Sequence, residues 1–213
     1  LTSSHVTALL VDGDRVRGVT VARPDGSVER IGCDTLVLAC NGYLGGLAPS
    51  VAARVMPINS FIAATEPLGP GQQVLGEDIA VADSKFVVNY YRMGHDGSFL
   101  FGGRESYTLG FPTYITTALR KRMETLFPQL SGVGITHVWG GTLGITMTRL
   151  PFVARVAPNV LNASGFSGHG VALSGIAGRA MGEAIAGQAG RFDILSAPGK
   201  GCRVTLTVPL EKG

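Results

Sequence analysis

The residues of this chain best suited to chemistry are Gly165-Phe166-Ser167-Gly168-His169-Gly170-Val171. A short apolar run from Asn159 to Ala163 feeds this glycine-dense turn, and the small-residue pattern from Gly170 to Gln188 then reads as a long helix. Glycine lets the backbone approach a ligand closely. The unpaired N–H groups of a helix start present partial positive charge to that ligand, so an electron-rich or anionic group suits the place. The same stretch also reads as a plain strand-to-helix turn. The further glycines at 175, 178 and 182 weigh toward function. Each gives up about 1 kcal/mol of helix propensity relative to Ala, and a close-packed neighbour is the usual reason.

His169 either hydrogen-bonds the backbone at the helix start or borders a reactive centre, and is not read as a base. His5, His95 and His137 stand alone, without partners at metal-ligand spacing, and no metal is expected. Tyr90, Tyr91 and Arg92 form a polar-aromatic cluster at a strand end, and Trp139 ends another strand. Such aromatics serve a core or a pocket. Arg92 and Arg104 offer planar guanidinium forks for a carboxylate, or are simply solvated.

The elements that must position these groups are legible from texture. Residues 5–11, 15–22 and 27–31 alternate apolar and polar types with Asp-Gly turn chemistry between them, which predicts a three-stranded antiparallel meander. Thr35 to Cys40 is a continuous apolar run ending in Asn41-Gly42, the pattern of a strand buried on both faces of a mostly parallel sheet. A glycine after such a strand is where open α/β sheets place a ligand crevice. From Pro57 the texture changes. Residues 58–65, 85–92, 98–102 and 135–139 read as strands of a mainly antiparallel sheet, and Thr113 to Phe127 has helical spacing with Leu119 and Met123 on one face. The expected fold is therefore mixed α/β. It comprises a partial Rossmann-like domain with a meander (1–56), an antiparallel substrate domain with helices (57–148), a return to the first domain (149–192), and an atypical hairpin (193–213).

Composition narrows the classes. Of 213 residues, 45% are hydrophobic and 15% charged, which fills a real core. A net charge of +3 without a Lys/Arg run does not suit nucleic acid. No apolar run reaches membrane-spanning length, so no membrane association is expected. Cys33, Cys40 and Cys202 are odd in number and lack C-x-x-C spacing, which points to a reducing compartment, the cytoplasm. The chain begins in mid-pattern with Leu1 rather than Met and reads as a piece that has lost its natural start.

Several motifs together resemble one family. Asp34-Thr35-Leu36-Val37-Leu38-Ala39-Cys40-Asn41-Gly42 is similar to the acidic-apolar-Ala-x-Gly segment of two-dinucleotide-binding-domain flavoproteins. The segments Pro57 to Leu68, Asp83 to Arg92, Leu100 to Gly103, Trp139 to Thr142, Arg149 to Pro151 and Gly165 to Val171 resemble the D-amino-acid oxidase/glycine oxidase/sarcosine oxidase superfamily of FAD-dependent oxidoreductases. Within it they most resemble gamma-glutamylputrescine oxidoreductases, over about residues 1–195. The resemblance implies FAD held by Ala39, Gly42 and Gly165 to Val171, with the helix start against the pyrimidine edge of the isoalloxazine. It further implies a small-molecule amine substrate that loses a hydride equivalent to flavin N5, hydrolysis of the imine, and oxygen as the electron acceptor. Tyr91, Arg92 and Trp139 are the candidates for the substrate pocket. No dedicated acid–base dyad is required, and no catalytic side chain is assigned.

Two departures from the family pattern stand out. No Gly-x-Gly-x-x-Gly follows a strand anywhere in the 213 residues, so the chain reads as a C-terminal fragment that binds FAD poorly and is inactive by itself. Its tail, Ser196-Ala197-Pro198-Gly199-Lys200-Gly201 followed by an alternating run to Pro209-Leu210, resembles the last hairpin of a histidine-kinase ATPase domain. It also reads as a surface hairpin or a chimeric end. A non-catalytic truncated or chimeric piece, and an ATP-binding module resting on the tail alone, are the alternative readings.

Overall fold

Val-rich alternation opens the chain as expected, in β1 (His5–Asp12), β2 (Arg15–Ala22) and β3 (Val28–Gly32), an antiparallel meander in that order. The computed structural model describes residues 2–106, 112–187, 191–197 and 201–207. These fall into two compact units, one made of 1–57 with 143–213 and the other of 58–142.

In the first unit the meander is followed by β4 (Leu36–Leu38) and the short helix α1 (Pro49–Ala52). Later in the chain β10 (Phe152–Ala157) and β11 (Val160–Ser164) join β4 in a three-stranded sheet of order β10-β11-β4. The β10–β11 pair is antiparallel, while β11 runs parallel to β4 with Leu38 opposite Asn162. The run at 35–40 is shorter than its apolar sequence suggests and is not buried on both faces. Among the described residues β4 pairs with β11 alone, and Val37 is exposed while Leu38 is buried. β11 is buried at all five positions. A cluster of Val16, Leu38, Val51, Val55 and Val160 fills one side of this unit, and Val153, Ala163, Phe166 and Ala177 form a second. Burying each Val or Phe side chain contributes about 1.5–3 kcal/mol. The helix α3 (Gly170–Ile185) supplies Ala177 and Ala180 to the interior, whereas Gly175, Gly178 and Gly182 are exposed with open space beside them, so the close-packed neighbour expected from these glycines is not supplied by the described residues. β12 (Arg191–Ala197) and β13 (Gly201–Thr207) pair as an antiparallel hairpin, and the Pro198-Gly199-Lys200 part of the kinase-like motif lies outside the described residues.

Buried Asn159 ties the meander to the central strands. Its Oδ1 accepts the Val16 N–H at 3.0 Å, and its Nδ2 donates to the carbonyls of Val16 at 2.6 Å and Asp34 at 2.8 Å. A buried carboxamide satisfied on both sides both stabilises and specifies register.

The second unit is an antiparallel sheet of order β6-β7-β8-β5-β9: β5 (Met56–Pro67), β6 (Val81–Ala82), β7 (Tyr90–Met93), β8 (Ser98–Ser106) and β9 (Ile135–Ile145). The helix α2 (Ile115–Leu126) covers one face with Leu119 and Met123, both fully buried against Phe61, Phe99 and Phe101. Pro128 after Phe127 stops the helix where the sequence predicts.

The strand expected over 85–92 is confined to Tyr90–Met93. The Asp83 carboxylate accepts the N–H groups of Lys85 at 3.1 Å and Asn89 at 2.9 Å, which holds the backbone in a bend before the strand. Fully buried Asn89 completes the bend, donating to Asp83 and accepting from the Arg122 guanidinium. Such short polar side chains offer the backbone an alternative to the ladder.

Two outcomes are expected. Asn159→Ala removes three hydrogen bonds and leaves the buried Val16 N–H without its acceptor, lowering stability by about 2–3 kcal/mol, read as the midpoint of urea unfolding. Desolvation pushes the Asp83 carboxyl up, but the N–H groups of Asn89 and Lys85 and the Asn89 carboxamide outweigh it and hold the group below its usual range. A lowered folded pKa contributes stability that is full above the unfolded value near 4 and is lost as pH falls through the folded value. Exchange protection of the Lys85 and Asn89 amides should therefore drop on acidification below about pH 4, and Asp83→Asn should abolish that pH dependence.

Candidate functional site

Parallel pairing brings the C-terminal ends of β4 and β11 to the same side of their sheet. At the end of β11 the chain turns through left-handed backbone at Gly165 (φ 66°), Ser167 (φ 52°) and Gly168 (φ 93°). Gly165 is required twice, since a Cβ there would also lie 2.4 Å from the Thr146 Cγ2. Ser167 accepts a left-handed conformation unusual for a side-chain-bearing residue because hydrogen bonds over-determine it. Its N–H donates to the Gly144 carbonyl at 2.9 Å, its hydroxyl donates to the Gly165 carbonyl at 3.1 Å, and its Oγ accepts the Thr146 N–H at 3.3 Å.

Phe166 turns inward to the cluster with Val153, Ala163 and Ala177, and anchors the turn. Its carbonyl accepts the His169 N–H at 2.9 Å, and α3 starts at Gly170. His169 occupies the N-cap position, but no side chain caps the helix. His169 and Gly168 are exposed, and Val171 is fully exposed. The first turn of the helix is thus exposed at Val171 and has no side-chain cap. An uncapped helix start of this kind has the polarity that suits an anion or an electron-rich group.

The Ala39 to Gly42 segment lies at the same end. Gly42 sits in a short 3-10 turn, Asn41 to Tyr43, entered by Asn41 in left-handed backbone (φ 47°). The Asn41 Oδ1 accepts the Gly165 N–H at 2.9 Å. Gly144, at the end of β9, leaves room for this carboxamide, because a Cβ there would lie 2.4 Å from the Asn41 Oδ1. The predicted residues Ala39, Gly42 and Gly165 to Val171 are therefore grouped with Asn41, Gly144 and Thr146, which sequence reasoning passed over. The Asn-Gly pair at a strand end was the available signal, since Asn is the side-chain-bearing residue most at ease in left-handed backbone.

The candidates of the second unit separate by strand alternation. Tyr91 faces α2, with its ring centroid 5.0 Å from Phe127 in an edge-on arrangement and 5.8 Å from Phe99. Tyr90 faces the other way. Its ring lies over Gly102, where a Cβ would sit 2.1 Å from it, and its hydroxyl is 2.9 Å from the Ser60 Oγ. Arg92 shares the Tyr90 face by alternation; its Nε donates to the Met93 carbonyl at 3.1 Å and its Nη2 is 3.6 Å from Asp78. Trp139 is 45% exposed, next to Gly140, whose missing Cβ accommodates the Phe61 ring on the core side. The side chain of Arg104 lies outside the described residues. Among the described residues no group of His, Cys, Asp and Glu is placed to hold a metal ion, and no helix is long and apolar enough to cross a membrane.

A parallel strand pair ending in a glycine turn and an uncapped helix is the geometry of a nucleotide-cofactor-binding α/β unit. The family model for FAD dependent oxidoreductases (DAO) matches residues 1–184, and the chain belongs to that family. It is 45% identical over 165 residues to the probable oxidoreductase OrdL of Rhizobium meliloti (strain 1021), covering 78% of this chain and 39% of that protein. It is 33% identical over 161 residues to the gamma-glutamylputrescine oxidoreductase of Escherichia coli (strain K12), covering 74% of this chain and 38% of that one. In fold it is similar to the glycine oxidase of Bacillus cereus ATCC 14579, with a TM-score of 0.67 at 18% identity over 87% of this chain and 50% of that one. The chain spans about two fifths of the length of the curated relatives it matches. FAD is the cofactor of its family.

The paired glycines give a controlled test of the turn. Gly165→Ala and Gly168→Ala share the cost of left-handed backbone, about 1–2 kcal/mol, but only position 165 adds a steric conflict, with open space around 168. Gly165→Ala should lower the urea midpoint clearly more than Gly168→Ala. Equal losses would mean that Thr146 does not pack against the turn.

Proposed function

We propose that this chain is the flavin-edge and substrate-domain part of an amine oxidoreductase whose substrate is gamma-glutamylputrescine or a related amine, with oxygen as acceptor. The observation that carries the reading is the uncapped start of α3, held at the C-terminal end of the parallel pair by the bonds of Gly165 and Ser167. The residues fit one half of FAD. Exposed amides without a capping side chain, approached past Gly168 and Gly170, suit the electron-rich pyrimidine edge of an isoalloxazine. They do not fit the phosphate half, for which the sequence holds no Gly-x-Gly-x-x-Gly unit.

When bound, FAD supplies a two-electron acceptor for the amine-bearing carbon. The part played by this chain is electrostatic and positional. The α3 amides and dipole stabilise negative charge at the pyrimidine edge, and the buried Phe166 keeps that helix start in place. Cofactor-binding roles are proposed for Ala39, Gly42 and Gly165 to Val171. In the second unit Trp139 and Arg92 are proposed as substrate residues, joined by Tyr90 with its Ser60-bound hydroxyl, while Tyr91 supports their strand from the core side. The name of the Escherichia coli relative supports the choice of amine. Free Cys33 and Cys40 suit a cytoplasmic setting. The missing phosphate cradle favours a second reading for the 213 residues alone, a piece that binds FAD weakly and turns over nothing.

Titration of FAD into the chain should give little quenching of flavin fluorescence. Fusion to a strand–Gly-x-Gly-x-x-Gly–helix unit should restore binding, and anaerobic gamma-glutamylputrescine should then bleach the flavin absorption. A fused, FAD-loaded protein that no amine or amino acid bleaches would refute the assignment. In that protein Trp139→Ala and Tyr90→Phe should each raise the amine concentration for half-maximal bleaching by about tenfold, or about 1.4 kcal/mol. An unchanged value removes the residue from the substrate site.

A further inference from the structure

We infer that Asn41 is a positioning residue that sets the cofactor-facing start of α3, an inference resting on the FAD reading above. The turn from Gly165 to Gly168 places three residues in left-handed backbone, and such a turn persists only where its surroundings over-determine it. Most of its bonds come from nearby strands and from within the turn, as with Ser167 to Gly144 and His169 to Phe166. The Gly165 N–H, the first of the turn, is instead taken by a side chain 124 residues earlier in the sequence.

The surroundings of this side chain are shaped for it. Asn41 itself stands at φ 47°, and the following 3-10 turn closes with the Tyr43 N–H on the Cys40 carbonyl at 2.9 Å. Gly144 omits the Cβ that would occupy the space of the carboxamide. The carbonyl of Gly144 accepts from Ser167, so one glycine both admits Asn41 and receives the second bond of the turn. Within the first unit, the segment after β4, Gly144 and the β11–α3 turn thus meet at the Asn41 carboxamide. Displacing it would release the end of β11 and re-aim the amides at the start of α3.

Neutrality of the group matters as much as its reach. A carboxylate at 41 would also accept the Gly165 N–H, but it would place negative charge beside a helix start proposed to stabilise negative charge on the reduced cofactor. That charge would work against the helix dipole. Asparagine holds the turn without opposing the dipole.

Three variants separate these roles. Asn41→Gly accepts φ 47° and removes only the carboxamide, Asn41→Ala removes it and adds strain, and Asn41→Asp keeps an acceptor while adding charge. Amide exchange is measured on the chain by itself, and FAD affinity and midpoint potential on the fused protein described above. In Asn41→Gly the Gly165 amide should exchange at least about tenfold faster, a loss of about 1.4 kcal/mol of protection, and FAD should bind more weakly. In Asn41→Asp the Gly165 amide should stay protected while the midpoint potential of bound FAD becomes more negative, which a purely structural role would not produce. Unchanged Gly165 exchange in Asn41→Gly overturns the inference. So does lost protection with unaltered FAD affinity, or an unmoved potential in Asn41→Asp. Failure of the fused wild-type protein to hold FAD overturns the underlying reading instead, and is seen before any variant is made.

Discussion

The five buried residues of β11 are held at both ends by hydrogen bonds to distant segments. Asn159, just before the strand, saturates its carboxamide on Val16 and Asp34, and the Gly165 N–H, just after it, is taken by Asn41. Between these points every side chain is buried, so the strand has no solvent face along which its register can slip. The position of β4, the attachment of the meander and the direction in which α3 departs all follow from that constraint. A one-residue shift would break both terminal bonds and move Ala163 out of the cluster it shares with Phe166 and Ala177.

This constraint is also the link from fold to chemistry. A helix start is useful to a ligand only when its amides are free of capping side chains and fixed in direction. Both conditions hold at α3, which has no side-chain cap and whose preceding turn is tied by Ser167, Gly144, Thr146 and Asn41. The backbone strain at Ser167 and Asn41 lies at the turn proposed to face the cofactor, and the surrounding bonds hold it there. In the proposed function the chain supplies fixed dipoles, while redox chemistry belongs to the cofactor of the family.

The second unit shows how a single position changes a residue's part. Tyr90 and Tyr91 are neighbours with the same side chain, yet strand alternation sends one ring onto Gly102 and the other into the aromatic cluster under α2. Composition marks this stretch as polar-aromatic but does not say which tyrosine faces which way. The answer depends on which face of the sheet the helix covers. In the same way Asp83 shortens the expected strand, because its carboxylate takes the Lys85 and Asn89 amides that a strand would have offered to its neighbour.

The sequence alone was enough for the meander, for a helix over 113–127 with Leu119 and Met123 on one face, and for the glycine turn that opens α3. It also carried the family, because each of these is a local pattern of periodicity, turn chemistry or motif. The fold was needed to show that β4 pairs with β11 alone among the described residues, that Tyr90 rather than Tyr91 lies away from the helix-covered face, and that Asn41, Gly144 and Thr146 belong with the turn. Local spacing reports how a segment bends and which side of it is apolar. It carries no record of the parallel pairing that sets residues more than a hundred positions apart within one hydrogen bond of each other.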